Sequence, residues 1–393
     1  MRRQRGRVGL MAAALVGVMA SGAVADVTTE RSASILVFPK VIADGTRDTI
    51  IQITNTSNSM VHAHCFYVNG ALTFPDQPAG PNNPPLWTEI DFDIWLTKQQ
   101  PTHWVVSEGR LVDPEDYPCS NAMNIFDCNN AGIDPGRVPP VVEDFTGELK
   151  CIEVDASGAP LAGNHLKGEA TLVALGAEEL GTAVNDATDL PEGDVAKYNA
   201  LGILGLETLN DDPVLCLGGE PTEECPLGAE YNACPQTWIL NHIADGGEDP
   251  VVASLGEENS EVHTDITVVP CAEDFETQVP ESVTIQFDVT DEFETSFSAS
   301  TTVTCWAELD LGDISNVFSD TRHGGPIQRT FVQTRMRPSR GTNSGFLVVA
   351  DERHYTGEPG STDTDASSAA VNLHVEGERP GPDLIVIPAD QLE

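Results

Sequence analysis

The stretch VTIQFDVT, residues 283–290, carries an apolar side chain at every second position. This alternation puts the apolar side chains on one face of a β-strand and the polar ones on the other. A second stretch, TEIDFDIWLT at residues 88–97, has the same period, with acidic residues between Ile90, Phe92 and Ile94. Both stretches therefore predict half-buried strands with one face in water.

Many more short apolar runs follow the same rule, with turn-forming residues every 8 to 12 positions and no long amphipathic helix. This pattern predicts an all-β protein made of two β-sandwich, immunoglobulin-like domains with long loops and little helix. The alternation fades between residues 176 and 197, so we expect domains at residues 26–180 and 195–355. Residues 356–393 are expected to form a flexible acidic tail with one further strand.

The first 25 residues have the order of a secretory signal peptide: arginines, a 13-residue apolar run from Val8 to Ala20, and the small triplet Ala23-Val24-Ala25. The run is too short to cross a bilayer, and no later stretch reaches the roughly 20 apolar residues that a membrane helix needs. We therefore expect a protein that is secreted to the periplasm or the exterior and is not embedded in a membrane.

The net charge of -42 excludes one class of partner. Such a field repels nucleic acid and anionic membrane surfaces. The negative charge has two interpretations: it keeps the protein soluble, or it serves to bind cations. Calcium is therefore the one cofactor that the composition leaves open, although no calcium loop of the EF-hand spacing is present.

Nine cysteines in an exported chain predict disulfides rather than a thiol metal site. Cysteines in the middle of apolar-faced strands can bridge across a core, which predicts the pairs Cys65–Cys151 and Cys271–Cys305. Cys119 and Cys128 bound a short polar loop and form a third predicted pair. The remaining three lie nine residues apart, so one pair and one unpaired cysteine are expected among Cys216, Cys225 and Cys234.

The chain resembles an uncharacterised family of exported bacterial proteins. The resemblance rests on the blocks ASILVFPK, DTIIQITNTSNSMVHAHCFYVN, QPTHWVVSEG, FTGELKCIEVD, VVPCAEDFE and VTIQFDVTDEFETSFSASTTVTCWAEL, within residues 33–350. It implies no particular activity. The strand, Asn-Thr-Ser turn and strand of residues 48–69 are also similar to immunoglobulin-like modules of bacterial surface proteins, which implies a scaffold or a binding domain.

Two groups of side chains are candidates for chemistry. His62 and His64 are two apart on a strand, so they share a face and are candidate metal ligands; a histidine pair on a wet face is the alternative. Glu89, Asp91 and Asp93 form a carboxylate stripe that suits calcium or glycoside hydrolysis, or simply a solvated face. Neighbouring acids on one regular face have similar surroundings, which does not favour an acid and base pair.

Three tryptophans, Trp87, Trp95 and Trp104, cluster within 18 residues and would suit either a carbohydrate platform or the core. Motifs of serine hydrolases, zinc proteases, phosphate-binding loops and paired Cys-x-x-Cys sites are absent from the sequence. We therefore assign no catalytic residue. The leading hypothesis is a non-enzymatic structural, adhesive or ligand-binding protein with a protein or carbohydrate partner at the cell surface. The alternatives are a secreted hydrolase of polysaccharide or peptide, acting through carboxylates, and a calcium-dependent binding module.

Overall fold

A computed structural model describes residues 27–75, 77, 83–110, 136–174, 195–206, 212–255, 260–321, 328–341, 344–356 and 365–389. The predicted signal peptide lies outside these residues. So do Cys119 and Cys128, which form one of the predicted disulfides, and the whole segment between the two predicted domains, residues 181–194.

The described residues form 21 strands and two short helices. The strands of the first half are β1 (Ile35–Ala43), β2 (Arg47–Asn55), β3 (Val61–Asn69), β4 (Thr88–Leu96), β5 (Pro101–Val105), β6 (Phe145–Val154), β7 (Leu166–Ala174), β8 (Val195–Asn199), β9 (Leu201–Ile203), β10 (Val214–Leu217) and β11 (Pro235–Ile243). After α1 (Pro250–Leu255) come β12 (Ser260–Pro270), β13 (Glu273–Asp274), β14 (Ser282–Asp291), β15 (Ser296–Thr304), β16 (Ala307–Asp310), α2 (Leu311–Ile314), β17 (Phe331–Pro338), β18 (Phe346–Thr356), β19 (Asp365–Asn372), β20 (His374–Glu378) and β21 (Asp383–Val386).

These strands form five sheets, with the orders β4-β3-β6-β1-β9, β5-β2-β7-β8, β10-β21-β13, β15-β14-β17-β11-β20 and β16-β12-β18-β19. Neighbouring strands are antiparallel except for β13 and β21. The sheets are arranged as the blades of a five-bladed β-propeller. The all-β class is confirmed, and the prediction of two immunoglobulin-like β-sandwich domains is wrong.

The physical reason for this error is that alternation fixes the buried face of a strand but not the sheet that the strand joins. Consecutive strands here change sheet: β1, β3, β4, β6 and β9 share one sheet, whereas β2, β5, β7 and β8 share another. The strands β6 and β7, which follow one another along the chain, therefore lie in different sheets.

The first sheet is buried on both faces, and β1 is buried at all of its nine positions. Ile35 and Val37 belong to an apolar cluster that includes residues of the second half such as Phe346. Leu36 and Phe38, on the opposite face, belong to a separate cluster that the first sheet forms with residues of the second sheet such as Ile51 and Leu172. The first sheet is therefore the layer that the two halves of the chain share.

Strands on either side of the predicted domain and tail boundaries pair with one another. The strands β8 and β9 follow the expected boundary, yet they pair with β7 and β1 of the first half. Within residues 356–393, expected to be a flexible tail with one strand, the chain forms β19, β20 and β21, which pair with β18, β11 and β10. These strands have only short apolar runs, and the sheets that they join supply the rest of their hydrogen bonds and packing.

The dipeptide Asn69-Gly70 does not form the two-residue hairpin that its sequence favours. Strand β3 ends at Asn69, and its partner β4 begins at Thr88. A Cβ atom on Gly70 would lie 2.3 Å from the Cβ atom of Trp306. The glycine therefore provides room for a tryptophan of the second half.

Three disulfides occur among the described residues. Cys65 bonds to Cys151, the pair expected from the sequence, on the neighbouring strands β3 and β6. The expected pair of Cys271 with Cys305 is wrong, because Cys271 bonds to Cys234 and Cys305 is a buried free thiol. The other pair is Cys216–Cys225, so the unpaired cysteine is not among the three that the spacing suggested.

These three disulfides indicate an oxidising compartment. Among the described residues, no helix is long and apolar enough to cross a membrane.

Candidate functional site

A cavity of about 540 Å³ lies between the first half of the chain and the strands β12, β16 and β18. Its size is within the range of small-molecule sites. Most such sites are lined by apolar groups, whereas this one gathers ionised side chains. The charged groups that line it are Lys40, Arg47, Asp265, Glu308, Asp351 and Arg353, with Asp310 beside them.

Lys40 is only 1% exposed, although it belongs to the apolar strand β1. The register of β1 against β6 shifts between Phe38 and Val41, and such a bulge redirects a side chain. The backbone of Lys40 is held by Tyr198, whose hydroxyl donates to the Lys40 carbonyl at 2.7 Å. The sequence and the bulge thus place a fixed buried cation at the wall of the cavity.

Glu308 of β16 is the anion that the cations share. Its Oε1 atom lies 2.8 Å from the Nζ atom of Lys40, 3.0 Å from an Arg47 nitrogen and 3.2 Å from an Arg353 nitrogen. Burial alone would raise the pKa of Glu308, but the charges and hydrogen bonds of Lys40 and Arg47 outweigh it and lower that pKa to about 2. Glu308 is therefore ionised at any physiological pH.

Asp265 of β12 behaves in the opposite way. Burial raises its pKa to about 6, the charge of Glu308 adds to this, and an ion pair with Arg353 opposes it. Asp265 lies opposite Asp310 in the register of β12 and β16. The cavity therefore holds two carboxyls whose proton affinities differ, which is the arrangement that an acid and base pair needs.

The predicted histidine and carboxylate candidates meet elsewhere, on the neighbouring strands β3 and β4. One oxygen of Asp93, Oδ1, lies 2.7 Å from Nε2 of His62 and 3.1 Å from Nδ1 of His64. Asp91 lies 3.5 Å from the other nitrogen of His64. Glu89 is separate and accepts a hydrogen bond from Gln278 at 3.0 Å.

The imidazole nitrogens of this group face the oxygen atoms of neighbouring residues and are not presented to a metal. Burial lowers the pKa of His64, but hydrogen bonds to Asp91 and Asp93 outweigh it and raise that pKa to about 9. His62 donates from Nδ1 to the carbonyl oxygen of Asp155. A protonated imidazole has no lone pair for a metal. Among the described residues, His62 and His64 belong to no cluster of three potential ligands.

The described residues contain two such clusters, and the sequence signalled neither. Asp245, His263 and Asp310 offer atoms within 4.8 Å of one another. His263 donates to Asp245 at 2.9 Å, and this bond raises its pKa to about 9, so it is a cation. The second cluster combines Asp383 with Cys234 and Cys271, whose sulfurs form a disulfide. Neither cluster resembles the cage of six or more oxygens that calcium requires.

The three tryptophans do not form a surface platform. Trp87 and Trp104 are buried. Trp95 is half-buried and stacks on the ring of His62 with 3.8 Å between the ring centroids. Core packing is therefore the use of the first two, and only Trp95 lies near the surface.

The sequence analysis missed the cavity because its charged residues come from five strands, β1, β2, β12, β16 and β18. One signal was nevertheless present in the sequence: Lys40 interrupts the run ILVFPKVIA, which is otherwise apolar. A lysine is almost never fully buried without a partner. Such a position therefore predicts an ion pair, although not the identity of the acid.

No family model matches this chain, and no curated protein matches it. Among solved structures, the Pleurotus ostreatus lectin in its apo form is similar at 11% identity, covering 90% of this chain and 84% of the lectin. The TM-score of that superposition is 0.13. A similarity at this level carries no argument about fold or ligand.

Proposed function

We propose that this is an exported, non-enzymatic structural or ligand-binding protein of the cell envelope or the exterior. The observation that carries the proposal is the pairing of the charges at the cavity. Glu308 binds Lys40, Arg47 and Arg353, while Asp351 binds Lys40. These ion pairs fix the position of β16 and β18 against β1. Because the charged side chains are paired with one another, none of them is an activated nucleophile.

Export is supported by two independent features. The first is the arrangement of arginines, apolar run and small residues at positions 1–25. The second is the set of three disulfides, which persist in oxidising compartments. With a net charge of -42, the partner is a protein or carbohydrate at the cell surface and not a nucleic acid.

Fractionation of the host, with an antibody against the chain, tests the location. We expect the protein in the envelope or the medium, with a cytoplasmic enzyme as the control for lysis; recovery in the cytoplasm would contradict the proposal. The purified chain should also remain inactive in a broad screen of glycosidase and peptidase substrates. Turnover of any of them would contradict the non-enzymatic assignment.

The unlike carboxyls of the cavity favour a second candidate, a secreted hydrolase. Asp265 would be the acid, since its pKa is raised to about 6, and Glu308 the ionised carboxylate, since its pKa is lowered to about 2. If a substrate is turned over, the variants Asp265→Asn and Glu308→Gln should each lose activity by about 10²-fold or more. An Asp91→Asn variant, at an exposed position outside the cavity, is the matched control and should retain the activity. Activity that survives in both cavity variants would exclude this candidate.

A further inference from the structure

A second buried lysine, Lys150 of β6, is enclosed by two buried carboxyls. Its Nζ atom donates to Oε2 of Glu148 at 2.7 Å and also to Oε2 of Glu273. The side chains of all three are at most 6% exposed. Glu148 and Lys150 belong to the first sheet, and Glu273 belongs to β13 in the second half, 123 positions along the chain from Lys150.

The surroundings of this triad are apolar. Phe66 lies opposite Lys150 in the register of β3 and β6 and stacks on Phe275 with 4.2 Å between the ring centroids. Both rings are 1% exposed. The free thiol Cys305 is also buried close enough to feel the charges of the triad. Water is therefore kept away from the amine and from both carboxyls. Burial alone disfavours every charged form, but the charges of Glu148 and Glu273 outweigh it for Lys150 and raise the pKa of that amine.

The triad contains one more acid than base, so burial drives a proton onto one carboxyl. Burial and the neighbouring charge of Glu273 raise the pKa of Glu148 to about 8. The Oε1 atom of Glu148 is buried without a hydrogen-bond partner among the described residues. At neutral pH Glu148 is thus a carboxylic acid, and its proton lies within hydrogen-bonding reach of Glu273.

We propose that Lys150 and Glu273 condense into a side-chain amide, with Glu148 carrying the proton, and that this bond joins β6 to β13 covalently. A proton first passes from the ammonium of Lys150 to the carboxylate of Glu273, which leaves all three groups neutral without changing their number of protons. The amine then attacks the Cδ carbon of Glu273.

The condensation balances without any oxidant, reductant or co-reactant. One carbon–nitrogen bond forms, and one carbon–oxygen bond of the Glu273 carboxyl breaks. Glu148 accepts the proton that the nitrogen loses and returns a proton to the departing hydroxyl, so that one water molecule leaves and Glu148 is regenerated. The fixed positions of the amine and the carboxyl supply the proximity that such a reaction needs.

Lys40 provides an internal comparison, since it too is buried between two carboxyls. Its neighbours Glu308 and Asp351 also bind Arg353, and the charges of Lys40 itself and of Arg47 keep the pKa of Glu308 near 2. Glu308 therefore has no proton to give to a departing hydroxyl. We expect the amide at Lys150 and none at Lys40.

Mass spectrometry tests the proposal on the full chain, reduced, denatured and with its N-terminus determined. We expect the measured mass to be lower than the sequence mass by one water molecule, and proteolysis to release a branched peptide that joins Lys150 to Glu273. An unmodified mass would overturn the proposal. A water loss that maps to any other position would overturn it as well.

Three variants assign the roles of the residues. Lys150→Arg and Glu148→Gln should both show the full mass, because the first lacks an amine and the second cannot carry a proton. Lys40→Arg, the matched control at the other buried lysine, should keep the cross-link. A cross-link that forms in Glu148→Gln would refute the role of Glu148. If a variant fails to fold, the presence or absence of the branched peptide in the unsubstituted chain still shows whether the bond between Lys150 and Glu273 forms. The test does not depend on the proposed function, since the mass is compared with that of the chain from its determined N-terminus, and a bound ligand is lost on denaturation.

Discussion

The indole Nε1 of Trp306 donates a hydrogen bond to the carbonyl oxygen of Pro39 at 2.8 Å. The two residues are 267 positions apart, and Pro39 lies in β1, the strand shared by both cores. The same indole packs against Gly70 at the end of β3. One side chain of the second half thus contacts two strands of the first sheet, and the space that it occupies depends on a glycine.

A Gly70→Ala substitution should lower the stability of the protein. The new Cβ atom would lie 2.3 Å from the Cβ atom of Trp306, which must move and strain its bond to Pro39. Overpacking of this kind costs about 1–3 kcal/mol. Urea unfolding followed by tryptophan fluorescence would measure it. The control is Gly381→Ala, where nothing lies within 4 Å of the added atom; an equal loss in both variants would contradict the packing argument.

Replacement of Lys40 by methionine should lower the free energy of unfolding far more than replacement of Lys197 by methionine. Lys40 is buried, and its loss would leave Glu308 and Asp351 without their shared cation. Removing one partner of a buried pair costs about 3–5 kcal/mol. Lys197 pairs with Glu169 at the surface, where its side chain is 51% exposed, and a pair of this kind contributes about 0–1 kcal/mol. Thermal unfolding of the two variants would compare them, and similar melting temperatures would refute the structural role of Lys40.

The protein should become less stable in mild alkali, because His64 then loses its proton and with it the ion pair to Asp91 and Asp93. The pKa of His64 is raised from 6.5 to about 9 in the folded state, so the folded protein holds a proton that the unfolded chain releases. The stabilisation is complete below pH 6.5 and is lost as the pH rises to about 9. A His64→Gln variant should lack this part of the slope of unfolding free energy against pH, whereas His103→Gln, at an exposed position, should keep it. An unchanged slope in His64→Gln would contradict the assignment.

The three disulfides should differ in their contribution according to the loops that they close. The separations are 86, 37 and 9 residues for Cys65–Cys151, Cys234–Cys271 and Cys216–Cys225. Chain entropy assigns them ~4.6, ~3.8 and ~2.6 kcal/mol respectively. Paired Cys→Ala variants in chemical denaturation would give the order. Cys305→Ala shows the effect of losing a buried sulfur with no bond, and a largest loss at the shortest loop would overturn the entropic account.

The strands themselves could be predicted well from the sequence. The alternation in residues 88–97 corresponds to β4, and VTIQFDVT lies within β14, where buried and half-buried positions alternate. The association of the strands could not be predicted, because β1 is buried on both faces and reads only as a continuous apolar run. No local pattern states which sheet covers which face.

The candidate site was less predictable than the fold. Charged residues that alternate on one strand, such as Asp91 and Asp93, attract attention in a sequence, yet they bind neighbouring histidines. The residues of the cavity come from strands as distant as β1 and β18, and Lys40 was visible only as an exception within an apolar run. Cys305 was misassigned for a similar reason, since its strand-like context does not reveal that Cys271 lies nearer to Cys234.

The double burial of β1 also bears on how the chain is made. Val37 leaves the ribosome early, but Phe346, a member of the same apolar cluster, is synthesised more than three hundred residues later. Until then this face of the first sheet is only partly covered, and exposed apolar surface of this kind promotes aggregation. A chain that ends before β18 would lack this part of the core, and we expect it to aggregate and to be cleaved by proteases more readily than the whole chain.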